Sequence, residues 1–339
     1  MVAGMVITVV GLLGAAYATK PWHLVLTQGA LFGIGGSLLY FPMSTWMFEW
    51  FPKKKGMASG IIFSGTGIGG VTMPLAVEAG LKQYGPKATL ICMAIIVVVV
   101  SVPCSLFLKP RLPVARSVGP VSFDTQFART SSFWVLFVFN ALQGLASFIP
   151  SLYMPTFTSD LNLSSGTGVA VLSVMYGASA PGSIMMGWLS DRFDLRYSIF
   201  LCSISSGLAV LLLWGLAEGA VPLIIFACVY GFFSWSWGSM WPKFAAVTTE
   251  DAYQASQASS IWSIFVAGKG LGSILSAPIA TALLHPWQLT DKSGSAYGLK
   301  GYGPLILFTG LSLLATSSAS LYRGVKIPWL RRLGEILSL

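Results

Sequence analysis

Ten apolar stretches, at roughly 2–19, 24–48, 57–77, 88–108, 132–155, 167–189, 197–217, 220–242, 257–284 and 303–322, leave little between them but short turns. At about 1.5 Å per residue, each can cross a hydrocarbon layer about 30 Å thick. Only 9% of the 339 residues are charged and 55% are hydrophobic. A water-soluble domain carries a charged share of about 25%, so this chain lacks the residues to clothe one. The expected fold class is all-α, a polytopic membrane protein of about ten transmembrane helices.

The net charge of +9 does not point to nucleic acid, because the basic residues sit in the turns that flank apolar runs. With the N-terminus in the cytoplasm, fourteen of the twenty Lys and Arg residues fall on one side. Lys20, Lys82, Lys87, Lys292 and Lys300 fall on the other, and Lys269 belongs to neither. Positive-inside bias then predicts an even number of spans with both ends cytoplasmic. The turn Gly187-Trp-Leu-Ser-Asp-Arg-Phe-Asp-Leu-Arg196 packs four charges into six residues between two apolar runs. It reads as a tight cytoplasmic elbow, in which Asp191 can accept hydrogen bonds from free N–H groups at a nearby helix start. The four cysteines lie in or beside apolar runs without metal-ligand or redox spacing, and are expected to be buried thiols. No basic segment precedes the first apolar run, and no good signal-peptide cleavage pattern follows it.

The third stretch carries Gly56, Gly60, Ser64, Gly65 and Gly69. No strand or βαβ unit surrounds it, so it is not a nucleotide-binding loop. Small residues four apart instead let helices approach closely in lipid. In the fifth stretch Asn140, Gln143 and Ser147 share a face. A buried amide must be paired, so these residues are either interhelical glue or the lining of a cavity. Tyr176 neighbours Gly177 in the sixth stretch. Tyr230, Trp235, Trp237 and Trp241 crowd the eighth beside glycines, densely enough to line a vestibule, with some of them expected in the interfacial aromatic belt; Tyr230, Trp235 and Trp237 are the substrate-facing candidates there. Lys269 lies about 18 Å into the ninth stretch, near the bilayer middle. A charge at that depth marks a functional position unless it is paired. There is no zinc motif, nucleophile elbow, P-loop or pair of deep carboxylates. Neither enzymatic chemistry nor a cofactor is expected, and a secondary carrier with gating by small-residue packing fits best.

Several of these motifs resemble the major facilitator superfamily, and specifically its fungal monocarboxylate-transporter-like branch. The Gly187-x-x-x-Asp191-Arg192 elbow looks like the family's motif between helices eight and nine. Lys55-Gly56-Met-Ala-Ser59-Gly60 with Ser64-Gly65 and Gly69-Gly70 is similar to helix five, Gly231 through Pro242 to helix ten, and Ala277-Pro278-Ile279-Ala280 to helix eleven. The resemblance implies major-facilitator-type helical bundles with the first two helices absent. Residues 1–108 would form an incomplete N-terminal bundle of four helices and 109–131 a cytoplasmic linker. Residues 132–322 would be a six-helix C-terminal bundle and 323–339 a basic tail. Gly187, Asp191, Arg192, Gly60, Gly65 and Gly69 would belong to the gating machinery. Members of the branch often carry a Gly-Arg pair in helix eight, where this chain has Gly182-Ser183; Lys269 is then the available cation. The implied function is alternating-access transport of a small organic solute, a monocarboxylate with a proton among them. The alternative is a carrier remnant with a structural or regulatory role. The expected partners are that solute and the lipid bilayer, without nucleic acid. The expected location is the plasma membrane, with a vacuolar or other internal membrane as the alternative.

Overall fold

The computed structural model describes residues 1–111, 126–248, 255–284, 297–298 and 301–322. Most of the linker, the basic tail, Lys292 and Lys300 therefore lie outside the described residues. The described residues form nine helical rods: α1 (Val2–Ala16), α2 (Pro21–Trp50), α3 (Lys55–Phe107), α4 (Ser131–Asp160), α5 (Ser165–Arg192), α6 (Leu195–Trp214), α7 (Ala220–Thr248), α8 (Ala255–Leu283) and α9 (Gly303–Leu321). All but α1 are long and apolar enough to cross a membrane.

At 53 residues α3 would be about 80 Å long if straight. Its backbone leaves helical geometry at Gly85, where φ is 76° and a residue without a Cβ is favoured. The chain doubles back there, because a Cβ built on Gly80 would lie 2.9 Å from Thr89 Oγ1. Nine positions of straight helix would separate those residues by about 13 Å. The third and fourth apolar stretches are thus two arms of one hairpin, and Pro86 follows the turn. Other spans are also built from joined pieces, α4 and α7 among them. α4 breaks at Phe148, with Pro150 in the first turn of its second half. α7 tightens to a 3₁₀ helix over Trp235–Met240 and then resumes α-helix to Thr248, six residues beyond the end expected from the sequence. α1 is shorter than the first apolar stretch because it stops at Tyr17, ahead of the Lys20-Pro21 start of α2.

Two compact units divide the chain. One contains Met1–Pro52 and Met73–Val121, the other Lys53–Thr72 and Ser122–Leu339. In the first, α1 lies directly on α2. A Cβ on Gly4 would meet Gly35 O at 2.8 Å, and one on Gly11 would meet Thr27 O at 2.8 Å. Arg111 closes one end of this unit. Its backbone N–H donates to Glu49 Oε2 at 3.0 Å, its guanidinium donates to Glu49 O at 3.2 Å, and the guanidinium lies 5.9 Å from the Trp50 ring centroid.

The second unit has an aromatic core around Phe157, Trp214, Phe226, Tyr230 and Tyr302. Phe226 stacks on Tyr230 at 5.1 Å, and Phe157 meets Tyr302 edge-on at 5.0 Å. Tyr302 donates to Asp160 Oδ2 at 2.7 Å. Burial and that carboxylate push its phenol above its ordinary range. The cysteines correct the sequence expectation. Cys202 is buried, but Cys92, Cys104 and Cys228 are exposed. In a bilayer the apolar medium lies outside the protein, so an apolar run does not imply a side chain covered by protein.

Candidate functional site

The site begins at the elbow. Asp191, at the end of α5, accepts from the backbone N–H groups of Gly56 and Met57 at 3.0 and 2.8 Å. It thereby satisfies two of the orphan donors at the start of α3. Lys243 of α7 closes on the same carboxylate at 3.0 Å, with both side chains about one-tenth exposed. One carboxylate thus joins the starts and ends of three helices. Arg192 points elsewhere, its guanidinium 5.5 Å from the Trp188 ring centroid. Asp194 caps α6 through the Arg196 N–H and pairs with the Arg196 guanidinium.

From that junction, the first arm of α3 runs against α5 along a face of small residues. A Cβ on Gly56 would strike the Gly187 and Ser190 oxygens, one on Gly60 would strike Ser183 O, and one on Gly67 would strike Tyr176 O and Ala180 N. Gly187 is equally constrained by Gly56 O. Gly56, Gly60 and Gly67 are therefore glycines by backbone contact. Gly65 and Gly69 lie off this face, with nothing within 4 Å of an added Cβ.

Where these helices meet α4, α7 and α8 there is a cavity of about 310 Å³. Its wall comprises Phe63 and Thr66 of α3, Phe148 of α4, Tyr176 and Ser179 of α5, Trp235, Gly238 and Trp241 of α7, and Val266, Lys269, Gly270 and Ser273 of α8. The α8 residues follow the spacing i, i+3, i+4, i+7 of one α-helical face. The α7 residues follow i, i+3, i+6 instead, because the 3₁₀ stretch turns three residues per revolution. An uninterrupted α-helix would set Trp241 about 120° away from Trp235. The tight stretch brings both rings onto the same wall, and Gly238 between them leaves room for Phe63, whose ring would be 3.0 Å from an added Cβ.

The wall is rigid. Trp235 packs against Tyr176 and Phe148, each at 5.0 Å, and Trp241 meets Phe63 edge-on at 5.5 Å. Lys269 is 9% exposed. Its Nζ sits 5.7 Å from the Trp241 ring centroid and has no hydrogen bond or ion pair among the described residues. Trp241 is itself held by Asn140. The Asn140 Oδ1 accepts from the indole N–H of Trp241 at 2.8 Å and of Trp237 at 3.0 Å, and its Nδ2 donates to Phe265 O at 2.6 Å.

Of the sequence candidates, Lys269, Tyr176 and Trp235 meet at the cavity. Asn140 and Trp237 stand behind its wall, each at most 1% exposed. Gln143 is also buried, and its Nε2 donates to Ser234 O at 3.1 Å. Tyr230 lies in the core of the unit and donates to Ser147 O at 2.9 Å.

Comparisons with known proteins address the architecture. The Major Facilitator Superfamily model matches residues 1–277 and again residues 136–326. The chain belongs to the major facilitator superfamily. Over 95% of its length it superposes on the transporter FucP in the outward conformation, with a TM-score of 0.67, 13% identity and 82% of that chain covered. Among sequence relatives, it is 25% identical over 94% of its length to MFS transporter asaE of Aspergillus flavus, covering 70% of that protein. It is 26% identical over 96% of its length to the agnestins efflux protein AgnL12 of Paecilomyces divaricatus, covering 70% of it. To MFS-type transporter opdF of Penicillium oxalicum it is 29% identical over 67% of its length. The chain spans 54% of opdF and 70% of the other two relatives.

As an integral, multi-pass major facilitator chain it thus carries one well-formed cavity wall within its second unit. Sequence reasoning missed much of that wall. Phe63, Thr66, Phe148, Ser179, Val266 and Ser273 carry no chemical signature that separates them from core residues. Trp241 stood among the crowded aromatics of the eighth stretch, but its side of the helix follows only from the 3₁₀ register. That register has no sequence signal beyond the density of Ser and Gly in Ser234–Ser239.

Proposed function

We propose that this chain is a secondary transporter that carries a small organic solute by alternating access, in the manner of the fungal monocarboxylate-transporter-like branch. The observation that carries the reading is the Lys269 ammonium on the wall of a cavity of about 310 Å³, a volume at the lower end of the range for small-molecule sites. Superfamily membership and fungal relatives named as transporters support the direction of the reading. A monocarboxylate suits one ammonium in charge, and co-transport of a proton would make its movement electroneutral. No carboxylate side chain lines the cavity among the described residues, so the proton travels with the solute or on the Lys269 and Tyr176 side of the site.

The test is reconstitution of the purified chain into liposomes and measurement of counterflow of labelled phenyllactate and lactate, with and without a pH gradient. Protein-dependent counterflow that accelerates when the source compartment is made acidic is the expected result. Flux equal to that of protein-free liposomes would sink the transport reading. Flux indifferent to the gradient would remove the proton from it.

A further inference from the structure

We propose that the cavity selects a singly charged aromatic anion, its carboxylate on the Lys269 ammonium and its ring in the slot bounded by Tyr176, Trp235 and Trp241. The inference rests on the transporter reading for its status as a substrate site and deepens it by naming the solute's chemistry.

The first argument is charge. Lys269 has no anionic partner among the described residues; three of the described acidic groups in its unit are occupied elsewhere, and the fourth, Glu218, is exposed in the turn before α7. Asp191 holds Lys243 and the start of α3, Asp194 holds Arg196, and Asp160 accepts from Tyr302. What faces the ammonium is the Trp241 ring, at 5.7 Å. A cation–π contact is small beside the cost of taking an ammonium out of water. Among the described residues the Lys269 charge at the cavity therefore has no counter-charge. One anionic group supplies it; a dianion would overshoot it.

The second argument is shape and polarity. Phe63, Phe148, Tyr176, Trp235 and Trp241 make the wall mostly aromatic face and edge. Two of its hydroxyls are already committed to their own helices, Ser179 to Tyr176 O and Ser273 to Lys269 O. A neutral polyol would enter such a slot with most of its hydroxyls unsatisfied, which is costly. A planar ring loses nothing there and gains stacking contact.

The third argument is preorganisation. Asn140 fixes the Trp241 indole from behind, and Tyr176 and Phe148 fix Trp235. The slot exists before the ligand arrives, which lowers the ordering cost of binding.

The experiment is equilibrium binding to the purified full chain of tritiated phenyllactate, competed by phenyllactamide, which lacks the charge, and by lactate, which lacks the ring. Phenyllactate should bind at least about 10-fold more tightly than phenyllactamide, the ratio that loss of one charge-assisted hydrogen bond produces, and at least about 10-fold more tightly than lactate, which forgoes burial of the ring. Lys269→Gln should lower phenyllactate affinity about 10- to 100-fold and bring it level with phenyllactamide, whereas Lys269→Arg should keep the preference for the anion. Trp241→Leu should erase the preference for phenyllactate over lactate while the preference for the anion persists. Equal binding of phenyllactate and phenyllactamide, no binding of either, or a Gln variant that binds within two-fold of the parent would overturn the proposal. The liposome assay separates the two readings. Charge- and ring-selective binding without flux removes transport and keeps the site, and flux without that selectivity does the reverse.

Discussion

Replacing Asn140 with leucine, which keeps the branch at Cγ, removes three hydrogen bonds at once. These run from Nδ2 to Phe265 O and to Oδ1 from the indoles of Trp237 and Trp241. All three are interhelical, one reaching α8 and two reaching α7. In lipid such bonds contribute about 0.6 kcal/mol on average and about 1.7 at most, so the variant should lose about 2–5 kcal/mol. Gln143 supplies the control, because it is equally buried on the same face of α4. It makes one interhelical bond, to Ser234 O, and its Oε1 is buried without a partner among the described residues. Gln143→Leu forfeits one bond but also removes an unsatisfied oxygen whose burial costs about 1–3 kcal/mol, so the net change should lie within about 1 kcal/mol of zero. The assay is reversible unfolding of the purified chain in mixed micelles by titration with dodecyl sulfate, followed by helical circular dichroism. Equal losses in the two variants, or an Asn140→Leu loss below about 1 kcal/mol, would show that the Asn140 network does not hold α4, α7 and α8 together.

The remaining predictions concern the same unit and its orientation. Gly60→Ala drives a methyl into Ser183 O and should cost about 1–3 kcal/mol, whereas Gly65→Ala meets open space and should be neutral or stabilising by up to about 1 kcal/mol; the same titration reads both. Asp191→Ala strands Lys243 and two helix-start N–H groups and should cost about 3–5 kcal/mol, with Asp191→Asn losing less because an amide oxygen still caps α3. Single cysteines placed at Lys54 and Lys82 in a cysteine-free background should differ in intact cells, position 82 reacting with an impermeant maleimide and position 54 not; the reverse pattern would invert the topology. Tyr302 has its pKa raised by burial and by Asp160. Its contribution is fully present below the unfolded value of about 10 and is lost as pH rises through the folded value. Tyr302→Phe should flatten that alkaline decline in a stability-versus-pH series.

The membrane spans were legible because hydropathy and length alone decide whether a stretch can cross a bilayer. The hairpin inside α3 was legible as two apolar stretches separated by Lys82-Gln-Tyr-Gly85-Pro86-Lys87. Asp191 was legible too, since a carboxylate among free helix ends has little else to bind. The facing of each glycine was not. Gly60 and Gly65 have the same local sequence character, and only the partner helix α5 distinguishes them. The amides were ambiguous for the same reason. Asn140 and Gln143 lie on one face, and whether that face meets protein or cavity depends on where Trp237 and Trp241 fall. Their placement depends in turn on the shift from α to 3₁₀ at Trp235. Tertiary context selected that shift, and no periodicity in the sequence announces it.

That 3₁₀ stretch makes α7 a three-sided prism over its middle turns. One side is Trp235, Gly238 and Trp241, which forms the cavity wall. A second is Ser236 and Ser239, and Ser236 is where α5 comes close enough that Gly182 tolerates no side chain. The third is Trp237 and Met240, both buried, with Trp237 tied to Asn140. In an α-helix of the same length the three duties would overlap on shared residues. Here they are divided, so descendants of this chain can exchange Trp235 and reshape what the cavity admits while the two scaffold sides stay as they are. Selectivity and fold are, along these six residues, separately heritable.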